Sequence, residues 1–242
     1  MSTLIRLIIT SIVSILMLSC NFSMNFGEGV DGNGNVISQD RTISKDFSSI
    51  KVSQGLELYI TQSNDVSLSI EADENLHDII MTEVENGVLK IYTTENIRRA
   101  TSKKIVLDIT GISGIEATSG SDVNSTNTIA ADELKLSTTS GAVMELRVET
   151  KLLKCSTTSG SDIKLSGETI NLIASATSGS DIDADNLEAE ISDVNVTSGA
   201  DISVNTSKEL TARATSGGDI KYSGNPEKVD KSDSSSGRIR QQ

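Results

Sequence analysis

In the second half of the chain, apolar residues occupy every second position over long runs. One run reads Leu134, Leu136, Thr138, Ser140, Ala142, Met144, Leu146 and Val148; another reads Ile170, Leu172, Ala174, Ala176, Ser178, Ser180 and Ile182. A third reads Leu210, Ala212, Ala214, Ser216, Gly218 and Ile220. Alternation of this length predicts strands with one buried face, and no comparable stretch offers a helical stripe. The first half is also strand-like, in Leu56-Glu57-Leu58-Tyr59-Ile60, Val66-Ser67-Leu68-Ser69-Ile70 and Val88-Leu89-Lys90-Ile91-Tyr92, with room for one helical turn between Asn75 and Thr82. The predicted fold class is all-β.

The alternating runs are punctuated. Thr-Ser-Gly occurs six times, with Gly at 120, 141, 160, 179, 199 and 217, at intervals of 21, 19, 19, 20 and 18 residues. A small residue, then usually Asp, then an apolar residue follow: Ser121-Asp122-Val123, Ala142-Val143-Met144, Ser161-Asp162-Ile163, Ser180-Asp181-Ile182, Ala200-Asp201-Ile202 and Gly218-Asp219-Ile220. Ser236-Gly237-Arg238-Ile239 reads as a frayed seventh copy. Nineteen extended residues trace about 60 Å, too long for one straight strand in a small domain but right for one turn of a coil. The expectation is a right-handed parallel β-helix over residues 105–225, with coils of about 19 residues, because parallel crossovers take that hand. Residues 36–104 would form a β-rich N-terminal cap, and the polar tail 226–242 would close the other end with little order. If alternation ran straight through each turn, Ser119, Ser140, Ser159, Ser178, Ser198 and Ser216 would stack inward as a packing column. Ser121, Ala142, Ser161, Ser180, Ala200 and Gly218 would form a second inward column, with the motif Thr and Asp outward.

Residues 1–19 read as a signal peptide: Arg6 is the only charge, and a twelve-residue apolar run spans Leu7 to Leu18. The run ends in Leu18-Ser19-Cys20, which resembles the bacterial lipobox, where cleavage precedes an acylated Cys. Cys20 is therefore the predicted lipidation site. Cleavage would remove one of the 21 basic residues and none of the 34 acidic ones, leaving 20 − 34 = −14. That charge repels anionic lipid, so attachment to the membrane would rest on the acyl chains. Residues 20–35, with Gly27, Gly29, Gly32 and Gly34, read as a flexible tether. The expected location is the cell envelope, as an outer-membrane lipoprotein facing the periplasm or the surface.

Composition narrows the chemistry. The net charge of −13 argues against nucleic acid as a partner, and two Cys cannot build a disulfide framework in 242 residues. One His leaves little for a His-rich metal site or a Ser-His-Asp mechanism. Aromatics make up 2% of the chain, and none lies between Tyr92 and Tyr222, so the coils lack stacking platforms for sugar rings. No enzyme activity and no cofactor are expected. The sharpest candidate site is the outward column Asp122, Asp162, Asp181, Asp201 and Asp219, a candidate Ca²⁺ ladder that Val143 interrupts. Charges about 5 Å apart in water repel by only about 0.8 kcal/mol, so solvated turn residues explain the column without a metal. Cys155 shares inward parity with Leu153 and reads as a small buried hydrophobe, while His77 is expected at the surface. Tyr92, Arg98, Arg99, Lys103 and Lys104 mark a basic loop.

The order of lipobox, Gly/Asn-rich lead, Arg41, the segment Phe47-Ser-Ser-Ile50-Lys-Val52-Ser-Gln-Gly55, and Thr-Ser-Gly-Ser-Asp coils resembles a Bacteroidetes family: the auto-transporter adhesins with a head GIN domain. The resemblance covers residues 36–225 and implies a β-helical envelope protein with an adhesin role. The resulting expectation is a lipid-anchored, non-catalytic adhesion or envelope-interaction scaffold, bound to the membrane through its lipid and meeting a protein or glycan surface ligand. The alternative is a carbohydrate-active or Ca²⁺-dependent polysaccharide-binding β-helix.

Overall fold

The computed structural model describes residues 29–234 and 236–242. The predicted signal peptide, Cys20 and the tether as far as residue 28 lie outside the described residues. The first strands are β1 (Val30–Asp31), β2 (Val36–Asp40), β3 (Ser49–Val52), β4 (Glu57–Gln62) and β5 (Ser67–Asp73). A single 3-10 turn, Glu74–Leu76, leads to β6 (Ile80–Glu85), β7 (Val88–Thr93), β8 (Ile97–Arg99), β9 (Lys103–Ile109) and β10 (Gly114–Thr118). The repeats supply β11 (Asp122–Thr139), β12 (Val143–Thr158), β13 (Asp162–Thr177), β14 (Asp181–Thr197), β15 (Asp201–Ala214) and β16 (Asp219–Ser223). The tail adds β17 (Lys228–Asp233) and β18 (Arg238–Gln241).

These strands build a β-solenoid of about seven turns with coils of about 19 residues. From β10 to β16 each coil pairs in parallel with the next, so equivalent residues stack along the axis. One inward column runs Leu58, Val123, Met144, Ile163, Ile182, Ile202, Ile220 and Ile239. Another runs Leu89, Ile50, Ile115, Leu136, Cys155, Ala174, Val194 and Ala212. Stacking like on like buries a continuous apolar core that no single coil could close.

Coil length and burial phase are linked. At each Thr-Ser-Gly turn both Ser and Gly take positive φ, as at Ser159 (60°) and Gly160 (64°), which turns the chain in two residues and preserves inward parity. A 19-residue coil has odd length, so its phase must slip once elsewhere. It does so at a second corner where two outward residues follow each other, Lys151-Leu152 in one coil and Ile170-Asn171 in the next. The 20-residue coil slips twice, the extra place being a bulge between Ala184 and Asn186.

The same turns correct one sequence-based expectation. Ser119, Ser140, Ser159, Ser178, Ser198 and Ser216 are exposed rather than inward, because the left-handed conformation swings their side chains off the alternating path. The second column is inward as expected: Ser121, Ala142, Ser161, Ser180 and Ala200 are fully buried.

Parallel stacking also reaches beyond residues 105–225. β3 pairs in parallel with both β7 and β10, and β4 with both β9 and β11. The coil β3–β4 therefore sits between the later coils β7–β9 and β10–β11. The turn joining its strands, Ser53-Gln54-Gly55-Leu56, repeats the motif geometry, with φ of 62° at Gln54 and 70° at Gly55. Antiparallel strands cover this end: β5 lies on β9, β2 on β5, and β6 on β7. At the other end the tail is ordered into the stack, β17 beside β15 and β18 beside β16, with Ile239 packing against the core. Tyr222 is buried in this last coil, beside Val204 in register, so the interior does admit one ring.

Candidate functional site

At the motif corner, the residue after Gly fastens the turn. Ser121, Ser161 and Ser180 each donate from Oγ to the carbonyl of the motif Thr three residues back, at 2.8 Å. The backbone N–H of Thr118 and Thr177 returns a bond to the same hydroxyl. The next residue, Asp, then points outward. Register places Glu57, Asp122, Val143, Asp162, Asp181, Asp201 and Asp219 in one column, with Lys104 beyond Glu57 and Arg238 beyond Asp219. The five predicted aspartates thus share one edge of the solenoid, and the column contains Glu57, which the spacing of Thr-Ser-Gly did not reveal. Asp219 is already engaged, accepting a 2.8 Å bond from Arg240 Nη2. Partial burial raises the pKa of Asp181 above the ordinary carboxylate value, helped by the charges of Asp162 and Asp201. Among the described residues no three His, Cys, Asp or Glu side chains converge as metal ligands.

The second corner carries a different feature. An open groove of about 980 Å³ runs along the axis over several coils, lined among others by Glu149, Glu168, Glu188, Thr169 and Ile170. Glu149 pairs in register with Glu168, and Glu168 with Glu188, so three carboxylates stack on one wall. None of the three side chains has a hydrogen bond or ion pair among the described residues. Elsewhere neighbouring coils exchange opposite charges, as in Lys154–Glu133, Lys208–Glu190 and Arg213–Asp193.

With this geometry in hand, the comparisons with known proteins are specific. Residues 46–226 match the family described as "Putative auto-transporter adhesin, head GIN domain". The chain belongs to this family. None of the curated proteins matches it. Among solved structures, a "putative adhesin" from Bacteroides fragilis is similar at 22% identity, covering 88% of this chain and all of that one, with a TM-score of 0.82. A "putative lipid binding protein" from Parabacteroides distasonis is 25% identical, covers 88% of this chain and 99% of that one, and has a TM-score of 0.72. A "putative adhesin" from Parabacteroides merdae is 19% identical, covers 89% of this chain and 100% of that one, with a TM-score of 0.68.

The remaining candidates of this head GIN chain are structural in placement. Cys155 is buried between Leu136 and Ala174, and burial pushes its thiol far up, away from the nucleophilic thiolate. His77 is not at the surface as expected but 5% exposed, with Nε2 3.3 Å from the carbonyl oxygens of both Ile37 and Ala72. Two carbonyls can only accept, so Nε2 carries the proton and ties β2 to β5. Its polar neighbours Glu74 and Asp78 hid this burial from the sequence. The basic loop is largely committed: Arg98 pairs with Asp31, and Lys104 lies over the Tyr59 ring and beside Glu71. The Glu column escaped the sequence reading because its spacing, 19 then 20 residues, follows no repeated tripeptide.

Proposed function

We propose that this chain is a lipid-anchored, non-catalytic scaffold of the cell envelope, whose solenoid presents a long surface for adhesion or envelope contacts. The match of residues 46–226 to an adhesin family carries this reading, since the described names of two solved relatives agree with it. The lipobox-like Leu18-Ser19-Cys20 supports the anchor, and the outer membrane is the location this reading assigns to it. The surface supports a binding rather than a catalytic role, because its charged ladders repeat coil by coil. A Ca²⁺-dependent or carbohydrate-active role is the competing outcome.

Cells producing the Cys20→Ala variant should accumulate uncleaved precursor and lose radiolabelled palmitate incorporation; unchanged labelling would refute the anchor. The detergent-solubilised full chain should show no sugar turnover on a glycan panel and no Ca²⁺-dependent rise in Tm. A Ca²⁺-dependent rise abolished by Asp181→Asn would transfer the function to the Asp column.

A further inference from the structure

We infer that the groove at the second corner docks an extended peptide segment whose alternate residues are basic and apolar, contributed by another polypeptide. The inference rests on the surface-scaffold reading above and names the partner of that surface. Two walls of unlike chemistry carry it. On one wall Glu149, Glu168 and Glu188 stack with no ion pair of their own, and Arg147, two residues from Glu149, is the one cation at the edge of that wall. On the other wall the charges cancel in pairs, Lys151 with Asp132 at 2.7 Å and Lys208 with Glu190 at 2.6 Å, and between them stands Ile170, 42% exposed.

The apolar character continues round that corner. Register sets Leu152, Ile173 and Ile191 in a zigzag over three successive coils, each diagonal to the next on one sheet face. Ile173 is 45% and Ile191 38% exposed. Exposed β-branched residues in a cluster, on a chain whose coils otherwise face outward mostly with polar side chains, Val143 being an isolated exception, mark a contact surface. An extended segment lying along the groove directs successive side chains to opposite sides. Lysines on one side would meet the Glu wall, and apolar residues on the other would meet Ile170 and the zigzag beyond it. An anionic membrane surface would be repelled by the same carboxylates, and a polysaccharide would leave the isoleucines uncovered.

The test uses the full chain in detergent and a fluorescein-labelled dodecapeptide alternating Lys and Leu, read by anisotropy in 150 mM salt above a micelle-only background. Two comparison peptides replace Lys by Glu or Leu by Ser. The triple variant Glu149→Gln/Glu168→Gln/Glu188→Gln should weaken binding of the Lys-Leu peptide at least tenfold. The variant Asp162→Asn/Asp181→Asn/Asp201→Asn, with the same change in net charge, should leave it within twofold. Ile173→Ser with Ile191→Ser should weaken it at least fivefold, and both comparison peptides should bind at least tenfold more weakly. Equal losses in the two charge variants would mean that net charge alone attracts the peptide, and would overturn the proposal. So would binding unaffected by the Ile variants, or tight binding of the Glu-Leu peptide. Loss of this site would leave the adhesin reading standing, because palmitate labelling and glycan screening do not depend on the groove.

Discussion

A single buried hydroxyl pair shows how neighbouring coils recognise each other. Thr157 Oγ1 lies 2.8 Å from Ser180 Oγ, one coil on, and Thr138 Oγ1 lies 3.0 Å from Ser161 Oγ in the coil before. Because Ser180 gives its own proton to the Thr177 carbonyl, the proton between the first pair belongs to Thr157. The equivalent places elsewhere hold Ala176 with Ala200, and Val196 with Gly218. In the last pair a methyl on Gly218 would come within 2.8 Å of Val196 Cγ1. Hydroxyl meets hydroxyl, and the largest residue meets the smallest. Ser180→Ala should strand the Thr157 donor, which is 1% exposed, at a cost of about 1–3 kcal/mol. The double variant with Thr157→Ala should recover part of that loss, since an Ala pair already serves at Ala176 and Ala200. Urea denaturation of the four proteins checks this, and strictly additive losses would show that the pair is not coupled. The inward Ser column was legible because alternation fixes parity. The fate of the preceding Ser was not, because two consecutive left-handed residues cannot be read from hydrophobicity.

At the scale of one element, stacking aspartates in one column costs the fold some stability. Asp181 has the raised pKa among its aspartates, through partial burial and then through Asp162 and Asp201. A carboxyl whose folded pKa exceeds its unfolded value binds more protons in the folded state. It therefore costs stability as pH rises through the carboxylate range, and nothing below it. Asp181→Asn should raise stability at pH 7 by up to about 1 kcal/mol, allowing for solvent screening, with the gain shrinking in 1 M salt. At pH 3 the two proteins should melt together; an equal gain there would show that packing, not charge, was responsible. The aspartates were visible in the sequence as a repeated neighbour of Gly. Glu57 was not, because Ser53-Gln54-Gly55 preserves the backbone of the turn while changing its side chains.

For the whole molecule, each coil pairs only with its neighbours, so stability should vary along the axis as it does in other repeat arrays. Amide hydrogen exchange should be slowest in β12, β13 and β14, which are paired on both sides, and fastest in β17 and β18 at the exposed end. Uniform protection through the tail would contradict a terminal coil held by one neighbour. Much of this architecture could be read in advance, since a 19-residue recurrence of turns leaves few alternatives. The N-terminal third resisted, because its coils carry the fold without the Thr-Ser-Gly tripeptide and pair out of chain order.

That order has a consequence for how the chain is made. The coil β3–β4 emerges early, yet both of its neighbours come later: Ile50 stacks between Leu89 and Ile115. The stack cannot zip up from the N-terminus as the polypeptide appears. The first coil must wait, unpaired on both sides, until β7 and β9 have arrived on one flank and β10 and β11 on the other. Closing such long separations is slow, so assembly has reason to begin in the regular middle coils and to finish at the beginning of the chain. Once closed, the earliest coil is locked between two later ones, and it can leave only by opening the end of the solenoid.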